Sequence, residues 1–200
     1  AGEQSALAVD RAGDLHLVYS NGPGLTYIKR TAGVWGAPSV GPAVAAGAVS
    51  LAVDLDGNAH VAYQDATNSA LAYAKYSGSW SSSTIEAGNH TGAIAVDATG
   101  RVMVAYSVYV NGALKFARLN GASWVTETVE DGTDNNGVWI GFALDGAGNP
   151  RIAFSIPAGT YASSSLRFAS RTGGGPWSVT TVQPAAEGVV NVRLALDGSG

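Results

Sequence analysis

The stretch that decides the fold is Leu51-Ala52-Val53-Asp54-Leu55-Asp56-Gly57-Asn58-Ala59-His60-Val61-Ala62-Tyr63, continued by Leu71-Ala72-Tyr73 and closed by Trp80. Its first four residues recur as Leu7-Ala8-Val9-Asp10, Ile94-Ala95-Val96-Asp97, Phe142-Ala143-Leu144-Asp145 and Leu194-Ala195-Leu196-Asp197. Successive aspartates stand 44, 43, 48 and 52 residues apart, and each is followed three positions on by Gly13, Gly57, Gly100, Gly148 or Gly200. Asp-x-x-Gly between two β-rich runs is turn chemistry. The carboxylate accepts from backbone N–H groups two residues on, and glycine supplies the positive φ that a tight reversal needs.

Working outward, four units continue past the turn into a second apolar run ending on a ring, at Tyr19, Tyr63, Tyr106 and Phe154. A third run alternates, as Leu25-Thr26-Tyr27, Leu71-Ala72-Tyr73, Leu114-Lys115-Phe116 and Leu166-Arg167-Phe168, so that Leu and the ring share one face. A glycine-rich turn then leads to Trp35, Trp80, Trp124 or Trp177, each expected to open a fourth, more polar strand and to pack between neighbouring units. Such a four-stranded unit cannot bury both faces alone, and radial stacking about an axis solves that problem. The predicted fold is all-β, a β-propeller of four-stranded antiparallel blades with four full units and an incomplete fifth. The units fall at roughly 1–43, 44–87, 88–135, 136–188 and 189–200 of a single domain. The fifth has only its inner strand, which points to a piece of a longer propeller. A four-bladed ring with a spare strand, or self-association through the incomplete blade, are the alternatives.

Composition agrees and narrows the function. Glycine supplies 27 of 200 residues and charged residues only 13%, which suits short strands and tight turns. The formal net charge of −4 offers no broad cationic surface, so nucleic acid is not an expected partner. Cysteine is absent, which removes disulfides, thiolate metal sites and a cysteine nucleophile. No run approaches 18 consecutive apolar residues, and the start at Ala1-Gly2-Glu3-Gln4 has neither a basic nor an apolar leader region, so no membrane insertion and no signal peptide are expected. No Gly-x-Ser-x-Gly, P-loop or His-Glu-x-x-His motif occurs.

The pattern from Leu51 through Asp54, Gly57, His60-Val61-Ala62-Tyr63 and Leu71-Ala72-Tyr73-Ala74 to Trp80 resembles the repeats of secreted and cell-surface bacterial β-propellers loosely grouped with sialidase-like propellers. The resemblance covers the whole chain and implies a scaffold and an extracellular or cell-surface location. It does not imply an activity, because these turns lack the Ser-x-Asp-x-Gly-x-x-Trp box of sialidases.

Strands that run up and down put the Asp-x-x-Gly turns on one side and the links between units on the other, and loops that vary from unit to unit usually carry function. The most polar link is Glu130-Asp131-Gly132-Thr133-Asp134-Asn135-Asn136-Gly137, followed by Trp139. Carboxylates and amides meet sugar hydroxyls, and an indole meets the C–H face of a sugar ring. The expected ligand contacts are Asp131, Asp134, Asn136 and Trp139, with Tyr109 and Tyr161 from neighbouring loops. His90, in the link from Gly88 to Thr91, is expected on the surface of the same side, able to reach a ligand. Asp131, Asp134 and Asn136 are also oxygen donors for calcium, but without the regular spacing and terminal glutamate of an EF-hand, so no cofactor and no metal are expected. His16 and His60 take equivalent places, where the later units have Met103 and Arg151, and are expected to pack within strands. The repeated aspartates are expected to cap turns.

The function expected is non-enzymatic recognition of a glycan or a surface protein through variable loops. A carbohydrate-active hydrolase or lyase is the alternative, for which Asp65, Asp131 or Asp134, and Glu187 are the loop acids available. A self-assembling structural unit is the third reading.

Overall fold

The computed structural model describes residues 4–20, 24–44, 49–132, 139–158, 160–187 and 191–197. Every regular element among them is a β-strand, and none is a helix long and apolar enough to cross a membrane. The first sheet holds β1 (Ser5–Val9), β2 (Leu15–Ser20), β3 (Gly24–Thr31), β4 (Val34–Trp35) and β5 (Ser39–Ala43). The second holds β6 (Ser50–Val53), β7 (Ala59–Asp65), β8 (Ala70–Tyr76) and β9 (Trp80–Ala87). The third holds β10 (His90–Val96), β11 (Val102–Val108), β12 (Leu114–Asn120) and β13 (Ser123–Glu130). The fourth holds β14 (Trp139–Leu144), β15 (Pro150–Ala158), β16 (Thr160–Ser170) and β17 (Ser178–Glu187). Strands pair in chain order, as four consecutive hairpin-linked strands per repeat require. The first sheet counts five because Pro38, which has no N–H to give a ladder, splits its outer strand into β4 and β5, both paired with β3.

Each repeat turn closes as its sequence predicts. Asp54 Oδ1 accepts the N–H of Asp56 at 3.0 Å and of Asn58 at 2.8 Å, and Asp10, Asp97 and Asp145 do the same in their own turns. Gly57 donates its N–H to the Asp54 carbonyl at 3.1 Å with φ of 79°, a conformation that a side chain would strain.

The chain divides into two compact units, Ala1–Val102 and Met103–Gly200. In the first, Val18, Leu25, Val61, Tyr63 and Ala72 form the core, with Trp80 packed against it. All seven residues of β7 are buried, so its two faces are both covered, which is why its sequence shows no polar face. Trp80 crosses from the second sheet onto the first: a Cβ at Gly41 would lie 2.6 Å from the indole, and Trp80 Nε1 donates to Ser39 Oγ at 3.2 Å. In the second unit, Leu114, Phe116, Ile152 and Phe154 form the core, with Trp177 against it.

Three expectations change. Trp35 is 44% exposed and not enclosed between repeats, because the described residues of its unit include no sheet on that flank. Leu7 and Val9, on the apolar inner strand of the first unit, are 59% and 60% exposed for the same reason. The predicted fifth inner strand is not a strand over 191–197, since no ladder partner forms among the described residues. Instead this segment runs against β14, with the backbone of Arg193 and Leu194 so close to Gly141 that a Cβ there would lie 2.5 Å from Leu194 N.

Candidate functional site

On the link side of the second unit, the structure places part of the predicted site. Gly132 sits directly on the turn between β11 and β12: a Cβ there would lie 1.8 Å from the Asn111 carbonyl oxygen and 2.3 Å from Ala113 N. This seats the link carrying Asp131 on the turn carrying Tyr109, which is 57% exposed. Trp139 opens β14 on the same side, paired with Ser155 of β15, and is 40% exposed. Behind the link, Glu130 is ion-paired to Arg167 of β16, which fixes the end of β13. Asp134 and Asn136, two of the three oxygen donors weighed for calcium, lie outside the described residues. Tyr161 belongs to β16, and Glu187 ends β17, but the side chains of both lie outside what is described.

Two other residues named from the sequence are placed differently. His90 is only 5% exposed, not on the surface. Its ring folds back over the turn, Nε2 donating to the Ala87 carbonyl at 2.9 Å, and its backbone N–H donates to Gln64 Oε1 at 3.0 Å. Asp65 is 9% exposed and caps the turn after β7, accepting from the N–H of Thr67 and Asn68 and from the Asn68 amide at 2.7 Å. Burial pushes the Asp65 carboxyl up, but these donors outweigh it and hold the acid below its usual range. An acid ionised by its own turn is a poor proton donor for a glycosidase.

The turn side of the first unit holds a network that the sequence signalled only in part. Asp10 accepts from His16 Nε2 at 3.0 Å, and His16 Nδ1 lies 2.8 Å from the Tyr27 hydroxyl. The second sheet repeats it with Asp54, His60 and Tyr73, at 3.0 Å and 2.8 Å. The carboxylate can only accept, so Nε2 carries the proton in the neutral ring, and Nδ1 accepts from the phenol. Burial lowers the His60 pKa against the opposing pull of Asp54, and pushes the phenols of Tyr27 and Tyr73 up to about 12. The His16 bond, first among several donors, holds Asp10 well below the carboxylate range despite burial; Asn58 and His60 do the same for Asp54. Lys29 adds contacts to Asp10 and Asp14 at 3.0 Å each. The histidines are thus structural strand residues, as expected. The overlooked signal was a pairing: units with His six residues after the turn aspartate have Tyr in the third strand, while those with Met103 or Arg151 have Phe116 or Phe168. In the fourth sheet, Arg151 itself takes the aspartate, Asp145, at 2.6 Å.

No protein-family model matches the chain, and comparison with curated proteins returns no match. Solved structures do resemble it. A mutant of the Aleuria aurantia lectin in complex with α-methyl-L-fucoside is 18% identical over 97% of this chain and 64% of its own, with a TM-score of 0.63. A fungal lectin structure described as a six-bladed β-propeller with a novel fucose recognition mode is 19% identical over 92% and 62%, with a TM-score of 0.62. An ulvan lyase from a new polysaccharide lyase family, bound to a glucuronate–sulfated rhamnose unit, is 13% identical over 90% and 56%, with a TM-score of 0.63. The chain therefore has the β-propeller fold, its four sheets being blades, and it spans 56 to 64% of the length of these structures. The likeness holds for the scaffold.

Proposed function

We propose that this chain is a non-enzymatic glycan-recognition module of the extracellular space or cell surface, binding through the link side of its second unit. The observation that carries the proposal is the seating of Gly132 on the Tyr109 turn, which sets Asp131 one residue from an exposed phenol loop, with exposed Trp139 at the next strand entrance. Two exposed rings and an acid on one side of a unit supply plates for sugar C–H faces and an acceptor for hydroxyls. Asp134, Asn136 and Tyr161 belong to the same proposed surface by chain position. The fucoside-binding lectins support a sugar as the ligand in preference to a surface protein.

A glycan array probed with the whole chain tests this. The variants Tyr109→Ala and Trp139→Ala are expected to weaken the best glycan about tenfold each, the loss of roughly 1.4 kcal/mol of ring contact. Undiminished binding by both variants would overturn the site. The lyase likeness favours one second reading, a carbohydrate-active enzyme. Turnover of a polyuronate by the wild-type chain, abolished in Asp131→Asn, would replace recognition by catalysis.

A further inference from the structure

The turn side of the first unit contains a cleft of about 260 Å³ lined by Tyr27, Lys29, Ala37, Asn58, Tyr76 and Ser77, with glycine backbone completing the wall. Its size falls just below the roughly 300–1,000 Å³ of sites for drug-sized ligands, which leaves room for a single sugar ring.

The second unit explains why the cleft is open. Counting from the third-strand ring and from the outer-strand Trp, Tyr27, Tyr76, Trp80 and Pro38 of the first unit correspond to Phe116, Arg171, Trp177 and Glu127 of the second. There, the Arg171 guanidinium lies 4.9 Å from the Phe116 ring centre and 4.6 Å from that of Trp177, and it reaches across to Glu127 at 2.5 Å. In the first unit, Tyr76 takes the guanidinium's place between the same two rings, 4.7 Å from Tyr27 and 5.3 Å from Trp80. A phenol has no cation to offer, and Pro38 has no acid to receive one, so nothing equivalent spans the gap beside Ala37. The result is a braced aromatic ring on a cleft whose other walls carry an ammonium, an amide and a hydroxyl.

Charge selects the ligand. Among the described residues lining the cleft, Lys29 is the one that carries a charge, and it is held at 3.0 Å by both Asp10 and Asp14, two carboxylates to one ammonium, an excess of one acid at that contact. An anionic sugar would meet that excess. An uncharged one would meet the ammonium's remaining N–H, the Asn58 amide oxygen, whose NH2 is given to Asp54, and the Ser77 hydroxyl as partners for its hydroxyls. We propose that this cleft is a second binding site, for an uncharged monosaccharide unit stacked on Tyr76, and that it is independent of the link-side site.

The test is titration calorimetry of the whole chain with methyl glycosides of fucose, galactose, mannose and glucose, and with methyl glucuronide as the anionic control. One variant, Tyr76→Arg with Pro38→Glu, transplants the ion pair of the second unit into the first. The other, Ala37→Trp, fills the cleft from an exposed position and does not touch the core. Binding of a neutral glycoside that falls at least tenfold in a folded cleft variant, and persists in Tyr109→Ala/Trp139→Ala, supports the proposal. Three results overturn it: no neutral glycoside binds, methyl glucuronide binds as well or better, or the cleft variants bind like wild type. Loss in the link-side variant alone assigns the binding to the other site and refutes this one.

Discussion

The pairing of His60 with Tyr73 is a claim that can be measured by borrowing the third repeat's own solution, Met and Phe. His60 is 2% exposed and Tyr73 6%, so neither can turn to water when its partner is removed. His60→Met deletes a charge-assisted bond to Asp54, which contributes about 1.5–3 kcal/mol, and takes from the Tyr73 hydroxyl its 2.8 Å bond to Nδ1, a further ~1 kcal/mol. Asp54 itself keeps the Asn58 amide at 2.8 Å and two backbone N–H groups, so it is not left bare. The single variant should therefore cost about 3–4 kcal/mol. Tyr73→Phe strands only Nδ1 and should cost about 1–2 kcal/mol. In the double variant the bond to Asp54 is lost but no group is stranded, as with Met103 and Phe116, which are 6% and 1% exposed. It should cost about 2–3 kcal/mol, less than His60→Met alone or equal to it. The assay is urea unfolding of the four proteins at pH 7.5, with the coupling energy taken from the cycle. Costs that add within about 0.5 kcal/mol would refute the network as the reason these residues vary together.

Three further outcomes follow from the structure. Burial lowers the folded pKa of His60, so its stability contribution is complete above the unfolded value of 6.5 and is lost as pH falls below it toward the folded value. Wild type should lose urea resistance between pH 7 and 5, while His60→Met should lose less over that window; parallel curves would contradict the assignment. The carboxyls of Asp10 and Asp54, depressed in the fold, hold their contribution down to about pH 4 and lose it below, as the unfolded chain binds protons first. Trp80→Ala empties a site against the first unit's core and should cost about 3 kcal/mol, whereas Trp35→Ala, at a ring 44% exposed, should cost about 1 kcal/mol or less. Equal shifts in thermal midpoint would show that Trp80 does not join the two sheets.

The sequence carried the fold because its repeat pins three things at once: the turn through Asp and Gly, the pairing through strand order, and the burial through alternating rings. Those are local facts, and local facts repeat. What failed was set by neighbours. Trp35 and Trp80 stand at the same place in their repeats, yet only Trp80 has a sheet to lie on within its unit. Pro38 was visible, but its effect, a split outer strand, depends on where β3 needed a donor. His90 read as a loop residue because its flanks are Gly, Asn and Thr, while its ring folds back over the turn and is buried. The link side was legible as polar and variable, and the seating of Gly132 on the Tyr109 turn required coordinates. The cleft beside Tyr76 lay in plain view as a Tyr where another repeat has Arg. Its meaning appeared only once both residues were found between the same pair of rings.

The indole of Trp80 laid on Gly41 has a consequence for how the chain comes apart. In a protein built of repeats, resistance to unfolding is the sum of what each repeat holds alone and what it gains from the next. Here one side chain of the second repeat contributes to that gain by covering a backbone where no side chain of the first could fit. Such a joint ties the melting of one repeat to that of its neighbour. An aromatic that bridges two repeats is also a built-in optical probe of their parting: its emission should change when the sheets separate, even while each still keeps its own ladder of hydrogen bonds.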